Sequence, residues 1–170
     1  GCIISDSVAI PVTNSGTDEF YLDVSDRVGN HKISEKKNIT IDVTPPDITH
    51  LQVMQGDEVL STISHHAALS VDVAFDIVEE NISSITADLS SFNSNPAIIP
   101  TLKSVVVPKS SCVYNATDVV YHCIIRNVAL YINDADVSPT ITVTDTFGNK
   151  KTVSENISFT IDHTIPKPTD

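Results

Sequence analysis

The sequence predicts an all-β sandwich, and three observations predict it. Apolar residues alternate at period two, Gly- and Pro-bearing turns separate the runs, and similar segments recur about 120 residues apart. The composition agrees. Hydrophobic residues make up 41 % of the 170, enough for a core, yet aromatics reach only 5 % and Trp is absent. Val, Ile and Thr must then fill the interior, and β-branched side chains favour strands. The net charge of −12 opposes nucleic-acid backbones and anionic membrane surfaces. Its simplest role is solubility.

The repeat sets the frame for every element. CIISDSVAI at 2–10 recurs as CIIRNVAL at 123–130, and YLDVSDRVGNHK at 21–32 as TITVTDTFGNKK at 140–151. NITIDVTPP at 38–46 recurs as NISFTIDHTIP at 156–166. The offsets are 121 from Cys2 to Cys123, 119 from Gly29 to Gly148, and 120 from Pro46 to Pro166. Residues 1–46 then form the C-terminal part of one repeat, 47–166 a complete repeat, and 167–170 the start of a linker to a next. Cys2 matches Cys123, so its partner is expected upstream of Gly1, which accounts for an odd count of three cysteines.

Along the complete repeat, Leu69, Val71, Val73, Phe75 and Ile77 alternate with Ser70, Asp72, Ala74 and Asp76. That is a strand with one face on a core and one in water. Ile85, Ala87 and Leu89 repeat the pattern, as do Val119, Tyr121, Cys123 and Ile125, then Ile141 with Val143 and Phe159 with Ile161. No apolar recurrence at three-and-four spacing extends over ten positions, so helices should be few. Asp26–Asn30 and Asp145–Asn149 each place Gly where a hairpin needs positive φ. Thr44-Pro45-Pro46 and Ile165-Pro166 end strands, because proline has no N–H for a ladder.

A strand ending in SDRVGN or TDTFGN, followed by one ending in IDVTPP or IDHTIP, resembles the tandem immunoglobulin-like repeats of prokaryotic surface proteins. Adhesins, S-layer proteins and surface filaments carry such repeats, and several sequons in an acidic repeat protein resemble archaeal members. The resemblance covers roughly residues 20–46 and 140–166, plus the strands after the link. It implies immunoglobulin-like β-sandwich repeats, one complete and one partial, in an extracellular, cell-surface location. The expected function is a non-catalytic structural role in an S-layer, stalk or filament, with neighbouring repeats or copies of the same protein as partners.

Few residues carry chemistry. Cys112 and Cys123 flank ten residues, a spacing that suits a disulfide and an oxidising compartment. The alternatives are a zinc site, which lacks a second ligand pair, and a redox pair, which prefers two intervening residues. Asn38, Asn81, Asn115 and Asn156 begin sequons, and Asn38 and Asn156 fall near equivalent positions of the repeat. They are candidate glycosylation sites, against the plainer role of Asn on a polar strand face. Asp42, Asp47, Asp162 and Asp170 lie near the repeat junctions and could hold Ca²⁺. No other cofactor is expected, and no dense calcium loop is present. Asp26 and Asp145 suit turn capping without an ion.

Histidines His31, His50, His65, His66, His122 and His163 show no chelating spacing. Nucleophile-elbow, P-loop and dinucleotide motifs are lacking, and Glu79-Glu80 reads as a solvated turn, so no enzyme activity is expected. No apolar run is long enough for direct membrane insertion of this segment. A second reading makes the chain a ligand- or carbohydrate-binding adhesin module that uses the long segment 90–112. There a surface ligand would meet Phe92, Asn93, Asn95 and Lys103.

Overall fold

The computed structural model describes residues 14–60, 62–64, 69–131 and 136–162, and the protein is all-β. The repeated strand at 2–10 with Cys2, residues His65, His66, Asp134, His163 and Asp170, and the segment 167–170 lie outside the described residues. The chain divides at Thr44/Pro45 into two compact units.

The first unit holds two antiparallel pairs. Strand β1 (Gly16–Phe20) pairs with β4 (Lys37–Ile41), and β2 (Asp23–Ser25) pairs with β3 (His31–Ile33). The β2–β3 hairpin turns at Gly29, whose φ of 89° costs glycine least among residues. None of this unit's described residues is buried; Tyr21, Leu22, Val24 and Ile33 are all more than half exposed.

The second unit carries the core. Its strands are β5 (Asp47–Gln55), β6 (Glu58–Val59), β7 (Thr62–Ser64), β8 (Leu69–Val78), β9 (Ile82–Asp88), β10 (Val105–Val106), β11 (Cys112–Asn115), β12 (Val120–Leu130), β13 (Asp136–Val137), β14 (Thr140–Asp145), β15 (Lys150–Ser154), β16 (Ile157–Ser158) and β17 (Thr160–Asp162). One short helix, α1 (Ile99–Leu102), interrupts them, with Pro in its first turn. The main sheets have the strand orders β11-β12-β8-β5-β6 and β10-β9-β14-β15, with every pairing antiparallel. Small ladders join β13 to β16, and β7 to β17 in parallel.

With β5, β8, β9, β10, β11, β12, β14 and β15 read as A, B, C, C′, D, E, F and G, the sheets are A-B-E-D and C′-C-F-G. This is the strand order of immunoglobulin-type sandwiches.

The predicted alternation sets the core. Val71, Val73, Phe75 and Ile77 of β8 are at most 1 % exposed, and they pack in one cluster with Val53, Ile85, Ala87, Ile141 and Val143 from both sheets. Each such side chain contributes about 1.5–3 kcal/mol on full burial. Among the described residues no helix is long and apolar enough to cross a membrane.

Two strands of the five-stranded sheet depart from strict alternation. On β5 the register against β8 slips between Thr49 and Gln52, and on β12 it slips between Ile125 and Val128. Each slip is a bulge with one residue in the left-handed region, His50 at φ 53° and Asn127 at φ 60°. Histidine and asparagine are among the non-glycine residues enriched there. The extra residue lets Ile48, Leu51 and Val53 all reach the core, and likewise Cys123, Val128 and Leu130.

Candidate functional site

The predicted disulfide is present. Cys112 and Cys123 sit directly opposite on β11 and β12, with their Cα atoms 4.0 Å apart and their sulfurs bonded. Immunoglobulin domains with a B–F bridge tie the two sheets together. Here the bond stays inside one sheet and fastens its edge strand to its neighbour.

The two turns of the repeat are superposable bond for bond. In the first, Asp26 Oδ1 accepts from the backbone N–H of Val28 and of Asn30, both at 2.9 Å, and Oδ2 accepts from Asn30 Nδ2 at 2.7 Å. In the second, Asp145 Oδ1 accepts from Phe147 N and Asn149 N, and Oδ2 from Asn149 Nδ2, all at 2.8 Å. The backbone closes alike, from Asp26 N to Asn30 O and from Asp145 N to Asn149 O. Gly29 and Gly148 share φ values of 89° and 93°. Turn capping is therefore what both aspartates do.

Their surroundings differ: Asp26 is exposed, whereas Asp145 is 1 % exposed. Burial pushes the Asp145 carboxyl up, but the bonds from Asn149, Phe147 and Gly148 outweigh it and hold it below 3.8. Asp26 is lowered too, first by the Asn30 side chain and then by the backbone N–H groups of the turn.

The other predicted residues are distributed. Asn38 is exposed on β4, opposite Glu19. Asn81 is exposed in the turn before β9. Asn115 closes β11, where its Oδ1 accepts from Thr117 N at 3.0 Å and its Nδ2 donates to Asp118. Asn156 is exposed and accepts a bond from Ser138 Oγ.

The junction aspartates with described side chains are both hydrogen-bonded. Asp42 accepts from Ser15 Oγ and Thr44 N, and Asp47 from Ile48 N. The Asp162 side chain and Asp170 lie outside the described residues.

The segment 90–112 differs from the expectation. Phe92 is 0 % exposed and plugs the core, and Asn93 is buried at 7 %. The backbone explains why. Tyr131 N donates to Phe92 O and Ser94 N to Tyr131 O, pinning the segment to the end of β12. Asn93 Oδ1 accepts from Asn95 N, and Asn95 Oδ1 from Ala97 N, so these amides shape the loop. Lys103 alone of the four is an exposed side chain without a role in that folding. A segment this long had suggested a displayed surface; Phe92 and Asn93 are corrected to structural residues.

A constellation not predicted from the sequence lies on the outer face of the five-stranded sheet. Asp76 on the middle strand β8 receives two imidazoles, His50 Nδ1 on Oδ2 at 2.9 Å and His122 Nδ1 on Oδ1 at 2.7 Å. Thr49 Oγ1 lies 3.3 Å from the same nitrogen of His50. Two pleat repeats along β8, Asp72 takes Arg126 at 3.0 Å and the bulge N–H of Asn127 at 2.9 Å. The two bulges thus serve the two outward aspartates of β8. Beside them a surface recess of ≈ 330 Å³ is lined by Ser110, Ser111, Val113, His122, Ile124 and Arg126.

In the sequence only the Asp72/Asp76 pair was visible on one strand face. His50 and His122 stand 72 positions apart, and only the strand register joins them. No protein-family model and no curated protein matches this chain.

Proposed function

We propose that the chain is a non-catalytic structural repeat of an extracellular surface assembly, such as an S-layer, stalk or filament. The observation that carries this reading is the recurrence of one turn, with the same donors and acceptors, in two successive units. Chains built by tandem repetition extend along one direction and serve to span distance or to tile a surface. The cross-strand disulfide supports an oxidising compartment, and exposed Asn38, Asn81 and Asn156 are accessible for glycans. The partners are neighbouring repeats or copies of the same protein, and the resemblance of its sequons and repeats to archaeal surface proteins supports an archaeal origin.

Electron cryo-microscopy of native material, with glycopeptide mass spectrometry on the same sample, tests this. Glycans on the sequon asparagines and subunits joined end to end are the expected result. Bare asparagines on a dispersed monomer would refute it.

A further inference from the structure

We propose that the free edge of β2 in the first unit is a docking site for an antiparallel strand with the chemistry of β9. The second unit shows what belongs there. In the β2–β3 hairpin Asp23 stands opposite Ile33, Val24 opposite Lys32 and Ser25 opposite His31. Adding 119 to each number gives Thr142 opposite Thr152, Val143 opposite Lys151 and Thr144 opposite Lys150, which is the register of β14 with β15. The two hairpins are therefore equivalent residue for residue.

Their surroundings are not. In the second unit β14 lies between β15 and β9, with Ile141 opposite Ala87, Thr142 opposite Thr86 and Val143 opposite Ile85. In the first unit β2 pairs with β3 alone among the described residues. Leu22 and Val24, the equivalents of Ile141 and Val143, are 54 % and 56 % exposed, whereas Ile141 and Val143 are 0 % exposed. The first unit thus presents both an unpaired strand edge and an uncovered apolar face, at the positions that a third strand and the core cover in the second.

The backbone is set for such a strand. Leu22 O accepts from Ser34 N, and Asp26 N donates to Asn30 O, so the even positions of β2 face β3. By alternation the N–H and C=O groups of Asp23 and Ser25 point to the free edge. An incoming strand of the β9 type would set an isoleucine beside Val24 and an alanine beside Leu22. Main-chain bonds supply affinity in this mode of recognition and the alternate side chains supply selectivity. The occupant is an extended segment that is not already paired in a sheet of its own. The β9 of a folded second copy is excluded, because β10 and β14 hold both its edges. The proposal deepens the repeat reading, on which it rests.

The test titrates the whole chain into a fluorescent peptide of residues 80–89, followed by anisotropy, with amide hydrogen exchange on the same mixture. The same peptide with Ile85→Asp is the control. Saturable binding of one peptide per chain is expected, with slower exchange at Asp23 and Ser25. Binding should weaken roughly tenfold or more with the control peptide and in two variants of the chain, Val24→Asp and Ser25→Pro. The Ser25 N–H faces away from β3, so Ser25→Pro leaves the hairpin ladder whole, and the Gly29 amide shift checks this in both variants. No saturable binding overturns the site, as does binding that survives both variants or protection that falls on β6, β10, β11 or β15 instead. These results do not depend on glycans or on end-to-end subunits, so failure here is distinct from failure of the surface-assembly reading.

Discussion

Replacing Asp145 tests the claim that one carboxylate organises the β14–β15 turn. Asp145→Ala removes three accepted hydrogen bonds of 2.8 Å and leaves two backbone N–H groups and an amide to find other partners. A bond to a charged acceptor contributes about 1.5–3 kcal/mol. Phe147 and Gly148 are exposed, so water recovers part of the loss, and about 3–4 kcal/mol is expected in total. Asp145→Asn keeps the acceptor for the two backbone groups but sets one N–H₂ against that of Asn149, and should cost about 1.5–3 kcal/mol.

The pH dependence follows from the depressed carboxyl. A group with a lower folded than unfolded pKa gives stability above its unfolded value and loses it as pH falls through the folded one. The difference between wild type and Asp145→Asn should therefore be full at neutral pH and shrink below pH 3.8. Urea unfolding at neutral pH and at successively lower pH measures it, and the subtraction cancels the other carboxylates. A neutral-pH loss under about 0.5 kcal/mol, the range of an ordinary surface change, would refute the reasoning. A difference independent of pH would do the same. Asp26→Asn makes the same change in an exposed turn and should cost less.

Two further outcomes are expected. Reducing the Cys112–Cys123 bond, or replacing both cysteines by Ser, should lower stability by about 2–3 kcal/mol, since the closed loop is short; urea midpoints with and without reductant measure it, and no change would mean that β11 is held by its ladder alone. Phe92→Ala should cost about 3–5 kcal/mol as a core truncation, whereas Lys103→Ala should leave the thermal midpoint unchanged; equal, small effects would return Phe92 to the surface.

The strands were legible because a sheet with one wet face writes itself into the chain at period two, and β8 shows this residue by residue. The turns were legible for a similar reason. Asp-x-x-Gly-Asn carries its own hydrogen-bonding groups, so Asp145 and Asp26 could be assigned to capping from local chemistry.

What stayed hidden depends on contacts between distant segments. The bulge at His50 is invisible locally, because His-Leu-Gln reads as ordinary alternation until β8 fixes which of them faces the core. With the bulge missed, His50 and His122 remain scattered residues. Phe92 misled for the opposite reason. It sits in a long, irregular segment, and that length suggested display, but the backbone bonds to Tyr131 turn the ring inward.

The ladder between β7 and β17 has a mechanical meaning. It joins a strand near the start of the second unit to one near its end, and it is parallel, with Thr62 beside Thr160 and Ser64 beside Asp162. Tension along the chain enters β7 at Thr62 and leaves β17 at Asp162, which are opposite ends of the ladder. The pull therefore shears the ladder and loads its bonds together. In a hairpin such as β2–β3, tension instead acts at one end and opens the bonds in sequence. Traction on the unit thus meets a last strand held side by side with a strand near its start.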